Sequence, residues 1–468
     1  MKHDLSATEI ASRVAARKLS PVEVVKTALA RVAELNPGLN AIVTLNERAL
    51  DDAGELEQRI ARGESVGRLA GVPVGIKDVT QVAGIRTTFG SPLYADHVPE
   101  EDALIVRRLR AAGAIILGKT NTPEFAAGGN TWNDVFGRTR NPWDPGKSAG
   151  GSTGGGAVAL ATGMIALAEG TDLGGSLRIP ASFCGVVGLR PSLGLVPTVP
   201  TDFVWDTLQV SGGMARTAED VALMLQATAG PTLHYPFAQP PVAGRDFVAA
   251  VHQGPKPGLR VAYCPDIAGI GVDPRVESVC RNTAKLLARA GIELDIIDLD
   301  LSAGREAFLA LRGHWFAAWM SKRLDLIEGF GANVRNNTKA GNETKGLDLG
   351  RAEGIRGRIW QQFREFFQRY DHLLTPTMAV PPFPVEQNYP EMVAGKKMET
   401  YVDWLAPTFV LSLTGLPVAS VPCGLDRDGM PVGMQIVGRP LGEEAVLALA
   451  ARLERANPIG RPPMLAPA

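Results

Sequence analysis

Short apolar runs bounded by glycine or other turn residues recur from Gly71 to the end of the chain. In the first half they read GVPVGIKDV, AIILGKT, MIALAEGTD and GVVGLRPS, and in the second half LRVAYCPD, IELDIIDLD, HLLTPTMAV, VASVPCGL and PVGMQIVG. Runs of this length are typical of buried β-strands. Helical patterns over 102–112 and 155–162 lie between them. The alternation predicts the α/β class, with a mixed, mostly parallel central sheet that helices cover on both faces.

The first 65 residues have the pattern of helices rather than strands. Ser6 precedes Glu9 by three residues, and Ser20 precedes Glu23 in the same way, with a proline directly after Ser20. Both arrangements are capping boxes, and proline is well tolerated at the first position of a helix. We expect the helices of residues 1–65 to wrap the outside of the catalytic body.

The later apolar runs favour one continuous sheet and one domain over 1–468, with two independent domains as the alternative. Within that domain we expect a catalytic core over 66–225 and a proline- and glycine-rich surface connection over 226–257. The remainder of the sheet and the substrate-pocket elements then occupy 258–468. The polar, glycine-rich segment 329–350 predicts a mobile loop near the substrate entrance.

Composition narrows the possible partners of the chain. The net charge is −1, from 48 basic and 49 acidic side chains, and no lysine/arginine block of the kind that tracks nucleic acid occurs. The N-terminal segment is not of signal-peptide type, and the longest apolar run, 157–168, is too short to span a bilayer. Four cysteines without a CxxC pair argue against disulfides and a thiolate zinc site. We expect a cytoplasmic protein with reduced, structural cysteines and neither metal nor cofactor.

The candidate chemistry lies in the segment KSAGGSTGGGAVALATGMIALAEGTDLGGSLRIP, residues 147–180. Ser152 and Ser176 occupy separate glycine-rich turns, 24 positions apart. Glycine permits positive φ and lets other groups approach backbone N–H groups closely. Such a turn can present a hydroxyl nucleophile beside amide donors that stabilise an oxyanion.

A serine nucleophile needs a base. None of the six histidines lies in a glycine-rich turn or in an HExxH spacing. The segment 150–154 matches G-x-S-x-G, but a loop rather than a strand precedes it, so it is not the elbow of an α/β-hydrolase. Lys77, at the end of an apolar strand, is the remaining candidate, and desolvation would have to lower its pKa from about 10.4. An ordinary ion pair with Asp78 explains Lys77 equally well at this stage.

The segments GVPVGIKDV, SAGGSTGGGAVALATG and GTDLGGSLRIPASFCGVVGLRPS resemble the amidase signature family of serine amidohydrolases. The resemblance continues through TNTPEFAAGG, FGRTRNPWDP and PVGMQIVG, and covers most of the chain. It implies a single large α/β/α domain with a Ser-cisSer-Lys triad. In this chain Lys77 matches the base, Ser152 the middle serine that follows a cis peptide bond, and Ser176 the nucleophile.

The same resemblance implies roles for the neighbouring residues. An oxyanion hole is expected from the backbone N–H groups of Leu173, Gly174, Gly175 and Ser176. The carbonyl of Ala126 corresponds to a position that accepts a hydrogen bond from the substrate amide nitrogen. Asp172 and Arg178 flank the nucleophile and either brace its turn or form a plain structural salt bridge.

Two functions are consistent with this resemblance. One is an amidase that cleaves the C–N bond of a small amide, and also esters or carbamates. The other is the glutaminase (A) subunit of a tRNA-dependent amidotransferase, whose pocket needs charged groups for glutamine that occur in a tyrosine-rich stretch absent here. Aromatic residues in that region favour an apolar or aromatic acyl group, with helix packing as the alternative explanation; they are Trp315, Phe316, Trp319, Trp404 and Phe409. The expected partners are a small amide and water, and a homodimer is left open.

Overall fold

The computed structural model describes residues 5–240 and 244–465. In chain order the helices are α1 (Ala7–Ala15), α2 (Pro21–Leu39), α3 (Ala49–Ala61), α4 (Leu104–Ala111), α5 (Gly154–Ala161), α6 (Arg178–Cys184), α7 (Ala218–Thr228), α8 (Phe247–Gln253), α9 (Pro274–Arg289), α10 (Gly304–Met320), α11 (Ala332–Glu343), α12 (Gly346–Arg369), α13 (Ala406–Ser412) and α14 (Glu443–Ala456). Short 3-10 helices occur at Pro92–Tyr94, Glu124–Ala126, Ser321–Gly329, Asp403–Leu405 and Pro463–Leu465.

The strands are β1 (Ile42–Leu45), β2 (Pro73–Lys77), β3 (Ile115–Thr120), β4 (Trp132–Asn133), β5 (Gly137–Arg138), β6 (Leu167–Asp172), β7 (Val187–Arg190), β8 (Val210–Ala215), β9 (Arg260–Tyr263), β10 (Glu293–Ile296), β11 (His372–Pro376), β12 (Met392–Val393), β13 (Lys396–Lys397), β14 (Val418–Leu425) and β15 (Pro431–Val437). Eleven of them form one sheet in the order β1-β3-β2-β6-β8-β7-β14-β15-β11-β9-β10. Strands from both halves of the chain therefore belong to the same sheet.

The sheet is mixed, as the sequence predicts for this α/β fold. Strand β2 runs parallel to β3 and β6, and β9 runs parallel to β10 and β11. The neighbours between β6 and β11 pair antiparallel. The centre is thus less parallel than alternating strands and helices suggested, because β14 and β15 form a hairpin.

Alternating residues of the central strands face two separate apolar clusters. Ala419 and Val421 of β14 pack in a cluster that includes residues of α9 and α14. Val418 packs in the second cluster with Phe363 of α12 and Phe409 of α13. Successive strand residues point to opposite faces of a sheet, so these helices lie on different faces. The predicted cover of helices on both faces is confirmed.

The N-terminal helices begin where the capping signals indicate. The Ser6 hydroxyl accepts from Glu9 N at 3.0 Å, and the Glu9 carboxylate accepts from Ser6 N at 2.9 Å, which completes the predicted capping box. The Ser20 hydroxyl accepts from Glu23 N at 3.3 Å, and the helix then begins with proline. Both helix starts are therefore confirmed.

The prediction of a mobile loop over 329–350 is wrong. Helix α11 and the beginning of α12 occupy most of this segment. Gly341 of α11 lies against Gly313 of α10, and a Cβ added to Gly313 would lie 3.2 Å from the Gly341 Cα. Small residues let two helix backbones approach closely, and Val334 and Thr338 are buried on the same helix. The glycine that suggested a loop is therefore part of a helix contact.

Residues 241–243 of the predicted surface connection lie outside the described residues, and so do 1–4 and 466–468. Within the described part of that connection, α8 forms a short helix. No helix in the described ranges is long and apolar enough to cross a membrane. All four cysteines are buried free thiols, which agrees with the sequence prediction.

Candidate active site

Strand β2 places Lys77 at its carboxyl end, in contact with the first glycine-rich turn. All five residues of this strand are buried. The Lys77 Nζ donates to Ser152 Oγ at 2.6 Å and to Thr171 Oγ1 at 3.1 Å. The Gly151–Ser152 peptide bond is cis. The structure therefore brings two of the three predicted catalytic side chains into a direct hydrogen bond.

Burial dominates the electrostatics of Lys77. It lowers the pKa of this amine to about 7, although the carboxylates of Glu169 and Asp172 act in the opposite direction. The alternative ion pair with Asp78 does not form, because the Asp78 carboxylate faces Lys119 instead, at 3.8 Å. An amine with this pKa is partly uncharged near neutral pH and can accept a proton.

Ser176 lies in the turn between β6 and α6, next to the turn that contains Ser152. Its backbone carbonyl accepts from Thr153 N at 3.3 Å, which holds the two turns together. Ser176 is half-buried and faces a cavity. No hydrogen bond joins its hydroxyl to Ser152 Oγ or to another group of the described residues. The structure thus places the third predicted residue beside the first two, with its hydroxyl unpaired.

The predicted oxyanion hole differs in one donor. The Gly175 N–H, in a residue with φ of 127°, donates to Asp172 Oδ1 at 2.8 Å. The N–H groups of Leu173, Gly174 and Ser176 have no partner among the described residues. The turn therefore leaves these other three donors available for a substrate oxygen.

Asp172 holds the nucleophile turn through charged and neutral contacts. Arg178 donates to its two carboxylate oxygens at 3.0 Å each, and Arg190 donates to one of them at 3.3 Å. Burial acts to raise the pKa of Asp172, but the two guanidinium groups hold it well below its usual range. Because the same carboxylate accepts from Gly175 N and Leu177 N, this salt bridge also braces the turn.

Ala126 lies where the chain bends sharply in front of the nucleophile. Phe125 and Ala126 have φ of 46° and 57°, which is uncommon for residues other than glycine. The Ala126 carbonyl accepts from Gly128 N at 3.1 Å, and its residue lines the cavity at Ser176. A carbonyl oxygen has two lone pairs, so one remains for a further donor.

Two adjoining cavities surround this site. The one that Ser176 lines has a volume of about 40 Å³, and the neighbouring one has a volume of about 340 Å³. They share five lining residues, Phe125, Ala126, Thr171, Gln209 and Trp315. Together they offer room for a small molecule next to the unpaired hydroxyl.

The aromatic residues singled out from the sequence divide between cavity and core. Trp315 and Phe316 line the cavity at Ser176, and Trp319 lines the larger one. Trp404 and Phe409 are buried in the core, where Phe409 stacks on Phe308 with ring centres 4.3 Å apart. Three of the five therefore face the site.

Sequence reasoning missed two charged residues at this site. Glu169 accepts from Lys77 N at 3.1 Å, and Arg312 lines the cavity at Ser176. Both stand within apolar runs, MIALAEGTD and LALRGHWFAAWM. A charged residue in a buried run is the same signal that singled out Lys77, and it could have found both.

Comparison with known proteins agrees with this geometry. The chain matches the Amidase family over residues 23–447. It is 39% identical over 467 residues to an acylamidase of Rhodococcus erythropolis, covering 97% of this chain and 96% of that protein. It is 34% identical over 483 residues to the glutamyl-tRNA(Gln) amidotransferase of Alkaliphilus metalliredigens in its (A) subunit, covering 97% and 96%.

A solved bacterial aryl acylamidase of the amidase signature family has the same fold, with a TM-score of 0.90, 29% identity, and coverage of 97% and 96%. The fold and these similarities define an amide-hydrolysing enzyme. The chain belongs to the amidase signature family.

Proposed function

We propose that this enzyme hydrolyses the C–N bond of a small linear amide with an apolar or aromatic acyl group. Ser176 is the nucleophile, and Lys77 is the base that acts through Ser152. The observation that carries this proposal is the 2.6 Å hydrogen bond between the buried Lys77 Nζ and Ser152 Oγ. It connects a base of suitable pKa to the turn beside Ser176.

The reaction begins with transfer of two protons. Uncharged Lys77 takes the proton of Ser152, and Ser152 takes the proton of Ser176. The Ser176 oxygen then forms a bond to the substrate carbonyl carbon. This step requires a hydrogen bond between the two hydroxyls, which we expect to form when substrate fills the cavity, since catalytic contacts often tighten only in the complex.

The carbonyl oxygen becomes negatively charged as the Ser176 bond forms. The N–H groups of Leu173, Gly174 and Ser176 are unpaired and can donate to it. Loss of one such donor raises a barrier by about 3 kcal/mol in comparable enzymes. The proton relay then runs in reverse to protonate the leaving nitrogen, and the C–N bond breaks. Water hydrolyses the ester on Ser176, releases the acid and restores the hydroxyl.

The cavity wall supports an apolar or aromatic acyl group. Phe308, Trp315 and Phe316 face the space in front of Ser176. Aromatic side chains bury large apolar areas and stack on planar groups. The relatives described as acylamidase and aryl acylamidase support the same preference. Esters and carbamates would pass through the same acyl-enzyme.

The glutaminase subunit of an amidotransferase is the second candidate, and the 34% identity to such a protein supports it. Glutamine carries an α-ammonium group, which needs an acidic partner when it is removed from water. Among the described residues that line the cavity at Ser176, none is aspartate or glutamate. This absence favours the amidase.

The test is a substrate panel with the purified protein, comprising aliphatic amides, aryl amides, anilides, carbamates and glutamine. We expect aryl amides and anilides to be hydrolysed faster than aliphatic amides and glutamine. Mass spectrometry of the quenched reaction should show the acyl group on the peptide that contains Ser176. Glutamine as the only good substrate would establish the second candidate instead.

A further inference from the structure

Arg312 is a buried cation in the wall of the cavity at Ser176. Its residue is only 7% exposed, and it lines this cavity together with Leu173 and Gly174. Most of the remaining wall is aromatic or aliphatic. Because removing a guanidinium from water is costly, buried arginines are normally paired with an anion.

No carboxylate pairs with Arg312 in the described part of the chain. Its nitrogens have no aspartate or glutamate oxygen within 4.0 Å. The other buried arginines of the described residues, Arg178 and Arg190, both pair with Asp172. Arg305 lies on the same helix as Arg312 and pairs with Asp403 at 2.8 Å. Arg312 is therefore a buried positive charge that the protein itself leaves without a counter-ion.

The guanidinium of Arg312 is held in a fixed plane. It donates to Tyr401 Oη at 2.6 Å and to Asn337 Oδ1. Its central carbon lies 4.7 Å from the centre of the Phe316 ring and 5.4 Å from that of Tyr401. Stacking and hydrogen bonds of this kind orient an arginine without neutralising its charge.

Tyr401 provides a second donor at the same place. Its hydroxyl oxygen accepts from Arg312 and, at 2.6 Å, from Asn337 Nδ2. Accepting two hydrogen bonds leaves the O–H hydrogen to donate, and Tyr401 lines the same cavity as Arg312.

We propose that Arg312 and Tyr401 bind a carboxylate on the acyl half of the substrate; this inference rests on the proposed amidase function. An arginine can donate two parallel hydrogen bonds to a carboxylate, and the pair neutralises both charges. The same cavity contains the N–H groups of Leu173 and Gly174, which receive the carbonyl oxygen in the proposed reaction. The carboxylate is therefore attached to the acyl carbon through a short or aromatic spacer. Hydrolysis adds water across the C–N bond and yields a dicarboxylate and the amine.

The test compares matched pairs of amides that differ in one charge. Suitable pairs are 4-carbamoylbenzoate with 4-methylbenzamide, and succinamate with butyramide. For the wild-type protein we expect kcat/KM to be at least tenfold higher for the anionic member of the better pair. Arg312→Gln should lower kcat/KM for that anionic amide by about 30-fold or more and change it less than threefold for the neutral amide. Arg312→Lys should recover part of the loss, and Tyr401→Phe should show a smaller loss of the same selectivity.

Arg305→Gln is the matched control, since it removes an arginine of the same helix from outside the cavity. It should leave the ratio of anionic to neutral kcat/KM unchanged. A wild-type preference for the neutral member of every pair would overturn the inference. Equal loss for both members in Arg312→Gln would do the same. If Arg312→Gln does not fold, the wild-type ratio and the Tyr401→Phe variant decide the question.

Calorimetric binding to the Ser176→Ala protein separates this inference from the proposed function. We expect 4-carbamoylbenzoate to bind more tightly than 4-methylbenzamide, and Arg312→Gln to remove the difference. Selective binding without any turnover by the wild-type protein would count against the amidase function alone. Equal binding of both compounds would count against the role of Arg312.

Discussion

The backbone N–H of Lys77 donates a hydrogen bond of 3.1 Å to Glu169 Oε2. The other carboxylate oxygen of Glu169 accepts from Thr80 Oγ1 at 3.0 Å, and the whole side chain is buried. Burial raises the pKa of the Glu169 carboxyl, while the charge of Glu169 acts to raise the pKa of the Lys77 amine. Strand β6 thus places an acidic group directly beside the proposed base, and the protonation of the two groups is linked.

Glu169→Gln should shift the acid limb of the pH–activity profile to lower pH. The amide keeps an oxygen that can accept from Lys77 N, but it removes the negative charge that favours the ammonium form of Lys77. We expect the plateau of kcat/KM to stay within about threefold of the wild type, because Glu169 does not touch either serine. Steady-state kinetics from pH 5 to 9 measure both quantities. A limb that stays in place would mean that Glu169 carries its proton throughout this range.

The wild-type acid limb should itself lie near pH 7, the pKa to which burial lowers Lys77. The base must be uncharged, so kcat/KM should fall about tenfold for each pH unit below this value and level off above it. Lys77→Met should lose most of the activity and, in what remains, the limb. Lys119 is a second buried lysine, with a pKa lowered to about 8, that contacts Thr80 and Thr87. A limb that persists in Lys77→Met and disappears in Lys119→Met would assign the titration to the wrong lysine for this mechanism.

Ser176→Ala should reduce amide hydrolysis by a factor of about 10⁴ or more, because no acyl-enzyme can form. The hydroxyl makes no hydrogen bond in the described part of the structure, so the melting temperature should change little. Turnover assays and thermal unfolding measure the two effects. Ser278→Ala, in an exposed helical residue, is the control and should retain full activity. Ordinary turnover by Ser176→Ala would refute the assignment of the nucleophile.

Gly341→Ala should destabilise the protein by about 1–3 kcal/mol, because the added methyl group would collide with the backbone of Gly313. Gly350→Ala in α12 is the control, since nothing lies within 4 Å of a Cβ added there. Alanine is the better helix former, so this control should be neutral or stabilising by up to about 1 kcal/mol. Urea unfolding measures both free energies. Equal stability of the two variants would mean that α10 and α11 do not need this close approach.

The parts of the site that are local in sequence were predictable. Ser152 and Ser176 lie in turns whose glycines permit the backbone geometry, and the strand before Lys77 is apolar throughout, so residue type alone located all three. The contacts between them depend on the sheet, because β2 and β6 are neighbours in space although Lys77 and Glu169 are 92 positions apart along the chain.

The remaining features depend on distant partners that a single sequence does not reveal. Lys77 and Asp78 are adjacent in sequence, yet each faces a different group in the fold. The glycines of α11 suggested a loop because their value lies in the contact with α10, which propensity does not register. Arg312 is recognisable as a charge in an apolar helix, but only the structure shows that no carboxylate of the described residues accompanies it.

Helix α10 carries Arg312 at the cavity wall and, one residue later, Gly313 at the crossing with α11. The bond-breaking groups come from β2 and the turns around β6, well apart along the chain from this helix. Substitutions in α10 or α11 can therefore retarget the enzyme to a different acid while the hydrolytic apparatus is inherited intact.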